Sequence, residues 1–438
     1  MAKETPKTLI CVIRASEGVW NALKELEKDS ASQVIVWQGQ AKTYSNGAIN
    51  AKLFADQDWD DHPGPVLTKA EKTMIKAELE KPGHNRIIVN SFAGEHASDR
   101  CLAGEYLLAH LRKEYPTTGE TGYTLVYDGN ARNDKIHIVD GFNEAGQPEK
   151  VSEDNAPGGV YAPIIYKALG VTEMVLFDPH SKYHINNYTD VFGQNDVKLL
   201  SSLDLIADAI VSRHANAIRD GSYRLGAPDG WDKKDAPEGN AALERIERIA
   251  ALIWQKMLDL DKIYGDVGKF QEHIQFGIVK TRVRQYPGQP AKPKTLSMHG
   301  DVAGCICDLV DDEVDSGGSI TNAAEFLLAK GADRIEAHIC HGPTHYASLE
   351  RVLDHSHRDA QGKAVLTVNH FTITNSMARV EGAHNDGFVS KLSPYKQSRT
   401  TLLNSGAVYA DYLRAKLGIS SPAKTPAAPA PEPANPKP

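Results

Sequence analysis

The stretch "CDLVDDEVDSGGSITNAAEFLLAKG", Cys307 to Gly331, decides how the chain is read. An apolar run ends in two adjacent carboxylates, Asp311 and Asp312, and a Ser/Gly loop follows, Asp315-Ser316-Gly317-Gly318-Ser319. Apolar residues then recur at 320, 323, 324, 327 and 328, the spacing of a helix that stops at Gly331. In open α/β sheets, such a strand-loop-helix junction is where ligands sit. Glycines let backbone N–H groups approach an anion, the helix N-terminus adds partial positive charge, and Ser316 and Ser319 add hydroxyls; together these suit a phosphate monoester. The two carboxylates need a different partner, because they accept hydrogen bonds from sugar hydroxyls or hold a hydrated divalent cation. A phosphorylated sugar satisfies both halves. An acidic turn capped by a helix is the plainer alternative.

Outward from this stretch the same alternation continues. "TLICVIR" (8–14), "SQVIVWQG" (32–39), "NRIIVNSF" (85–92), "YTLVYDG" (123–129) and "MVLFDPH" (174–180) have the length and apolar character of strands. Helical patterns separate them at 17–29, 97–115 and 158–170. Beyond residue 200, helices are expected over 204–217 and 240–260, and strands at 274–280, 305–310, 334–341 and 364–369. A last helix is expected over 397–418. Strands alternating with helices of this length predict a parallel α/β architecture in two domains. Residues 421–438 are rich in Pro and Ala with nothing to bury, which predicts an extended or disordered tail.

The composition fits that picture. The chain has 438 residues, 41% hydrophobic and 24% charged, enough for two globular domains with real cores. A formal charge of −8 gives no general attraction to nucleic acid or acidic lipid, so any anion must be held by a local site. Cys11, Cys101, Cys305, Cys307 and Cys340 are few, odd in number and mostly inside apolar runs, which reads as reduced buried thiols. With no signal-peptide pattern and no apolar run of membrane-spanning length, the expectation is an untargeted cytoplasmic protein that engages neither membrane nor nucleic acid.

The segment "LVDDEVDSGGS" closely resembles the phosphoribosyl-diphosphate binding motif, hydrophobic-hydrophobic-Asp-Asp-x-x-Asp-Thr-Gly-Gly-Thr. That motif is shared by phosphoribosyltransferases, which consume PRPP, and ribose-phosphate pyrophosphokinases (PRPP synthetases), which make it. Further segments resemble the pyrophosphokinases, in the family's order from about residue 43 to about 417. "TYSNGAINAKL" (43–53) resembles the adenine-holding loop, with Tyr44 and Asn46 matching in kind, and "NARNDK" (130–135) resembles the Tyr-Ala-Arg-Gln-Asp-Lys segment that reaches ATP, through Arg132, Asn133 and Asp134. "FDPHS" (177–181) resembles Asp-Leu-His, and "GAPDG" (226–230) resembles Ser-Pro-Asp-x-Gly, which implies Mg²⁺ contacts at His180 and Asp229. "VKTRVRQ" (279–285) resembles the catalytic Lys-x-Arg, implying that Lys280 and Arg282 clamp the transferring phosphates together with His180. "CHG" (340–342) and "TITNSM" (372–377) resemble Thr-His-Gly and Thr-Asn-Thr. The departures are Ala48 for Glu, Asn130 for Tyr, Asn133 for Gln, Pro179 for Leu, and the long segment 136–157.

The resemblance implies two phosphoribosyltransferase-like domains, each a mainly parallel sheet flanked by helices. An ATP-side domain would span 1–194 with a returning helix within 389–420, and a phosphoribose-binding domain 195–388. It further implies a homo-oligomer that takes ATP and ribose 5-phosphate as substrates with Mg²⁺, giving PRPP and AMP. Asp311 and Asp312 would meet the ribose hydroxyls; Asp315, Ser316, Gly317, Gly318 and Ser319 would hold the 5-phosphate. Three other readings stay open: the same chemistry on a nucleotide-linked ribose such as ADP-ribose, a PRPP-consuming transferase, and a noncatalytic relative. "LDHSHRD" (353–359), with His355 and His357 two apart, reads as a solvent-facing turn because no third spaced ligand follows.

Overall fold

A computed structural model of the chain describes residues 7–31, 33–43, 49–54, 65–91, 97–116, 123–128, 138–142, 148–152, 158–228, 241–260, 265–283, 292–314, 316–342, 346–358, 361–376 and 387–420. The chain forms two compact units. One comprises the chain up to Leu200 together with Ser405–Ile419, and the other runs from Ser201 to Asn375 and includes the segment that ends at Asn404.

The first unit contains β1 (Thr8–Arg14), α1 (Glu17–Asp29), β2 (Val34–Gln38), β3 (Gln40–Thr43), β4 (Ile49–Lys52), α2 (Lys69–Leu79), β5 (Asn85–Ser91) and α3 (Ala97–Glu114). It continues through β6 (Tyr123–Asp128), β7 (Ile138–Phe142), β8 (Pro148–Ser152), α4 (Gly158–Ala168), β9 (Val171–Phe177), α5 (Lys182–Phe192) and β10 (Val197–Leu200). Its sheet has the order β10-β9-β6-β5-β1-β2, with every pairing parallel. The near-continuous apolar run of β1 follows from this, since a central parallel strand is covered on both faces. Leu9, Cys11 and Ile13 enter one core, and Ile10 and Val12 the other. Ser16 caps α1 by accepting from the Val19 amide, and Thr68 and Glu71 form a reciprocal capping box at α2. β3 pairs with β4, and β7 with β8, as antiparallel hairpins.

The second unit contains α6 (Leu203–Arg219), β11 (Tyr223–Gly226), α7 (Ala241–Asp259), α8 (Val267–Ile274), β12 (Gly277–Val283), β13 (Lys292–His299), β14 (Ile306–Asp311), α9 (Gly318–Ala329) and β15 (Arg334–Ile339). Then follow α10 (Tyr346–Asp354), β16 (Ser356–Arg358), β17 (Ala364–Leu366), β18 (His370–Thr374), α11 (Gly387–Ser390), α12 (Pro394–Ser398) and β19 (Thr400–Leu403); α13 (Gly406–Leu417) lies in the first unit. Five strands, β11-β14-β15-β18-β19, make a fully parallel sheet. Cys307 and Leu309 of β14 face one core, and Val310 the other.

Two expected stretches take another form, and β10 and β11 of the main sheets were not expected from the sequence. The run 364–369 does not supply a strand of the main sheet; β17 pairs with β16 in a small hairpin, and the sheet strand is β18. β18 escaped notice because only Phe371 and Ile373 are apolar, while His370, Thr372 and Thr374 are buried polar residues on its other face. The stretch 397–418 is not one helix but divides into the end of α12, the strand β19 and α13. Arg399 fixes the break: its Nε donates to the Asn369 carbonyl at 3.0 Å and its Nη1 to the Leu353 carbonyl at 2.9 Å. Those bonds seat β19 against β18. Cys11, Cys305, Cys307 and Cys340 are buried, and burial pushes the Cys11 and Cys307 thiols well up.

Candidate phosphoribose site

In the second unit the expected strand-loop-helix is present. β14 ends at Asp311, and α9 begins at Gly318 with Gly317 as its N-cap. Gly317 has φ +78°, a left-handed conformation that glycine adopts without steric cost. A Cβ there would lie 2.5 Å from Val352 Cγ2 and 3.4 Å from the Ser348 carbonyl oxygen, so α10 packs directly on the turn. Arg351 Nη1 donates to the Ser316 carbonyl at 3.1 Å, which fastens the loop from the same helix. The Gly318 amide donates to Ser316 Oγ at 3.5 Å. Thr321 Oγ1 lies 3.2 Å from the Gly317 carbonyl and 3.3 Å from that of Gly318. The backbone of Ser316 to Gly318 is therefore held from behind, and α9 opens directly at the turn.

The acidic pair is anchored by the sheet. The amide of Cys340 donates to the Asp311 carbonyl at 3.1 Å and that of His341 to the Asp312 carbonyl at 2.8 Å, extending the β14–β15 ladder past the strand ends. Asp311 Oδ1 accepts from the Asp312 amide at 2.9 Å. Above them stands Arg245 of α7, with Nη1 3.9 Å from Asp311 Oδ1 and Nη2 3.9 Å from Asp312 Oδ2. Sequence reasoning missed Arg245, which sits in the charged helical pattern "ALERIERIAAL" with nothing local to mark it. It also missed the support from Ser348, Arg351 and Val352.

The other predicted residues are distributed as follows. His180 lies in the first unit, between the end of β9 and the Ser181 cap of α5, and is partly buried. Its neighbour Asp178 has φ +41°, uncommon for a non-glycine residue, and its amide donates to the Leu200 carbonyl at 2.9 Å. Lys280 and Arg282 fall on β12 of the second unit, opposite Thr295 and Pro293 of β13, so this segment is a strand of a two-stranded ribbon through Val283. Tyr44, Asn46, Arg132, Asn133, Asp134, Asp229 and Asp315 lie outside the described residues. Asp311, Asp312, Ser316, Gly317, Gly318 and Ser319 thus share one strand-loop-helix junction.

Comparison with known proteins follows the same lines. Ribose-phosphate pyrophosphokinases from Bradyrhizobium diazoefficiens, Agrobacterium fabrum and Brucella melitensis match at 52% identity over 54 residues, 36% over 105 and 44% over 78. These stretches cover 12%, 23% and 18% of this chain, and 17%, 30% and 24% of those relatives. Over those stretches the chain is similar to ribose-phosphate pyrophosphokinases. The matched stretch spans less than a third of each relative's length. Phosphoribosylpyrophosphate synthetase from Mycobacterium smegmatis superposes with a TM-score of 0.57 at 16% identity, covering 94% of this chain and 99% of that one, which shows a shared two-domain α/β fold. No protein-family model matches the chain.

Proposed function

We propose that this pyrophosphokinase relative transfers diphosphate from ATP to the anomeric hydroxyl of ribose 5-phosphate, giving PRPP and AMP. The observation that carries the reading is the junction of β14 and α9: two carboxylates held at a strand end beside a left-handed glycine turn that opens a helix N-terminus. Asp311 and Asp312 would accept hydrogen bonds from the ribose 2- and 3-hydroxyls, and Ser316 to Ser319 with Asp315 would hold the 5-phosphate. The anomeric hydroxyl oxygen forms a bond to the β-phosphorus of ATP and releases its proton to solvent as the bond from that phosphorus to the α,β-bridging oxygen breaks, and AMP departs with that oxygen. Charge builds on the transferring phosphoryl oxygens, so positioning and cation stabilisation should dominate. Lys280 and Arg282 are assigned that stabilising role.

ATP enters as its Mg²⁺ complex. Tyr44, Asn46, Arg132, Asn133 and Asp134 are assigned to ATP, and His180 and Asp229 to the metal-bearing phosphates and their hydration. The fit is chemical: an aspartate offers the hard oxygen donor Mg²⁺ prefers, and a partly exposed imidazole at a strand's carboxyl end can reach its bound water. The metal would neutralise phosphate charge. A cytoplasmic homo-oligomer remains part of the proposal.

The test is incubation with Mg-ATP and a panel of riboses, following AMP and product mass. AMP formed only with ribose 5-phosphate supports the reading, and AMP formed only with ADP-ribose moves the acceptor to a nucleotide-linked ribose. No AMP with any sugar, together with PRPP consumption in the presence of a base, would make the chain a transferase. Inactivity in both assays would make it a noncatalytic relative. Lys280→Ala should lower kcat by about 10²–10³-fold with little change in ribose 5-phosphate affinity; a loss of sugar affinity alone would remove Lys280 from its role.

A further inference from the structure

On the face of β14 and β15 turned toward α6, the second unit buries a cluster that the phosphoribose site does not use. Asp308 and Glu336 are register partners on these two strands, and His214 of α6 lies over both. His214 Nε2 is 3.1 Å from Glu336 Oε2 and 3.9 Å from Asp308 Oδ1, and one ligand atom from each residue lies within 4.8 Å of the others. Both carboxylates are fully buried, and the imidazole nearly so. Asp308 Oδ2 accepts from the Tyr223 hydroxyl at 2.8 Å, whereas Oδ1 has no hydrogen-bond partner. His338 Nε2 sits 3.0 Å from Asp308 Oδ2 without hydrogen-bond geometry, and its Nδ1 is also unpartnered. Orphaned buried polar atoms are costly and call for an explanation.

We infer that His214, Asp308 and Glu336, with His338 beside them, form a structural site for a divalent transition metal of the zinc class. In a tetrahedral shell with bonds of about 2.0–2.1 Å, adjacent ligand atoms lie roughly 3.4 Å apart. The observed 3.1 and 3.9 Å bracket that edge. Imidazole and carboxylate donors together suit zinc, cobalt or iron(II), whereas Mg²⁺ and Ca²⁺ prefer all-oxygen shells. Outer partners are already placed: Arg213 donates from Nε to Glu336 Oε2 and from Nη2 to Oε1, both at 2.9 Å, and Arg334 Nη2 lies 2.7 Å from Oε1. Both arginines reach solvent, at 18% and 32% side-chain exposure, so their charge is partly screened while the carboxylates are not. Such a closed, dry site is structural, not catalytic.

The full chain, stripped with a chelator, is titrated with Co²⁺ while visible absorption and circular dichroism are recorded. The expected result is one equivalent bound with the visible d–d bands of a tetrahedral centre, bleached by Zn²⁺, and a raised Tm in the loaded protein. His214→Gln and Asp308→Asn should each abolish the bands, and His338→Gln should weaken binding at least tenfold. A folded parent chain that gives no cobalt bands overturns the proposal, whatever the variants do. Bands that survive both His214→Gln and Asp308→Asn overturn it as well. In the first case a proton on His214 is the cation that bridges the two carboxylates.

Discussion

Replacing Gly317 by alanine tests whether the proposed anion cradle depends on backbone geometry enforced by packing. At φ +78° an L-residue in the left-handed region costs roughly 1–2 kcal/mol. The new Cβ would also stand 2.5 Å from Val352 Cγ2, an overlap that forces α10 or the loop to shift at a cost of roughly 1–3 kcal/mol. The sum, about 2–5 kcal/mol, is large against the marginal stability of a domain. Urea denaturation should show a lower midpoint with unchanged slope. Calorimetry should show weaker binding of ribose 5-phosphate, because any movement of the loop misdirects its amides. Val352→Ala separates the two contributions, since it removes the methyl that clashes but leaves the φ penalty. The double variant should therefore be less damaged than the single effects predict, with a coupling of roughly 1–3 kcal/mol. Additivity within about 0.5 kcal/mol, or an unimpaired Gly317→Ala, would refute the reasoning.

Two further outcomes are expected. Burial alone would raise the Glu78 carboxyl, but Lys7 (2.8 Å), His84 (3.0 Å) and Lys81 (3.2 Å) outweigh it and bring it down to about 2. A depressed folded value means that its contribution is complete above the unfolded pKa of about 4.3 and fades as pH falls below it. Glu78→Gln should thus cost roughly 1–3 kcal/mol at neutral pH, with the gap to the parent closing under acid; a gap independent of pH would count against the network. Arg245→Met keeps the aliphatic stem but removes the cation shared by Asp311 and Asp312, and should cost about 1 kcal/mol at neutral pH in urea denaturation. That loss should shrink once the carboxylates are protonated, and a pH-independent loss would point to packing alone.

Much of the architecture was legible because local rules and tertiary demand agree. β1 reads as a buried parallel strand and is one, and α1 starts at its Ser16 cap and runs over the residues its periodicity marks. The β14–α9 junction was legible for the same reason: its carboxylates, glycines and helix start are contiguous, so one segment of sequence encodes the turn. Reading failed where burial and polarity part company. β18 carries His370, Thr372 and Thr374 toward the polar interior shared with Asp308, Glu336 and His338, so an apolar scan preferred the neighbouring run. β19 was absorbed into a helical pattern because its strand state depends on β18 beside it and on the anchoring of Arg399, both distant in sequence.

By itself the sequence determined the parallel α/β class, the two halves, and the Asp-Asp/Ser-Gly-Gly-Ser junction, since each rests on residues within about one element of each other. Only the tertiary structure decided what surrounds that junction. Arg245 over the carboxylates, Val352 and Arg351 behind the turn, and the burial of His214 between Asp308 and Glu336 all join side chains from separate elements. Pair distances of this kind are set by how helices and strands pack, and no local spacing records them.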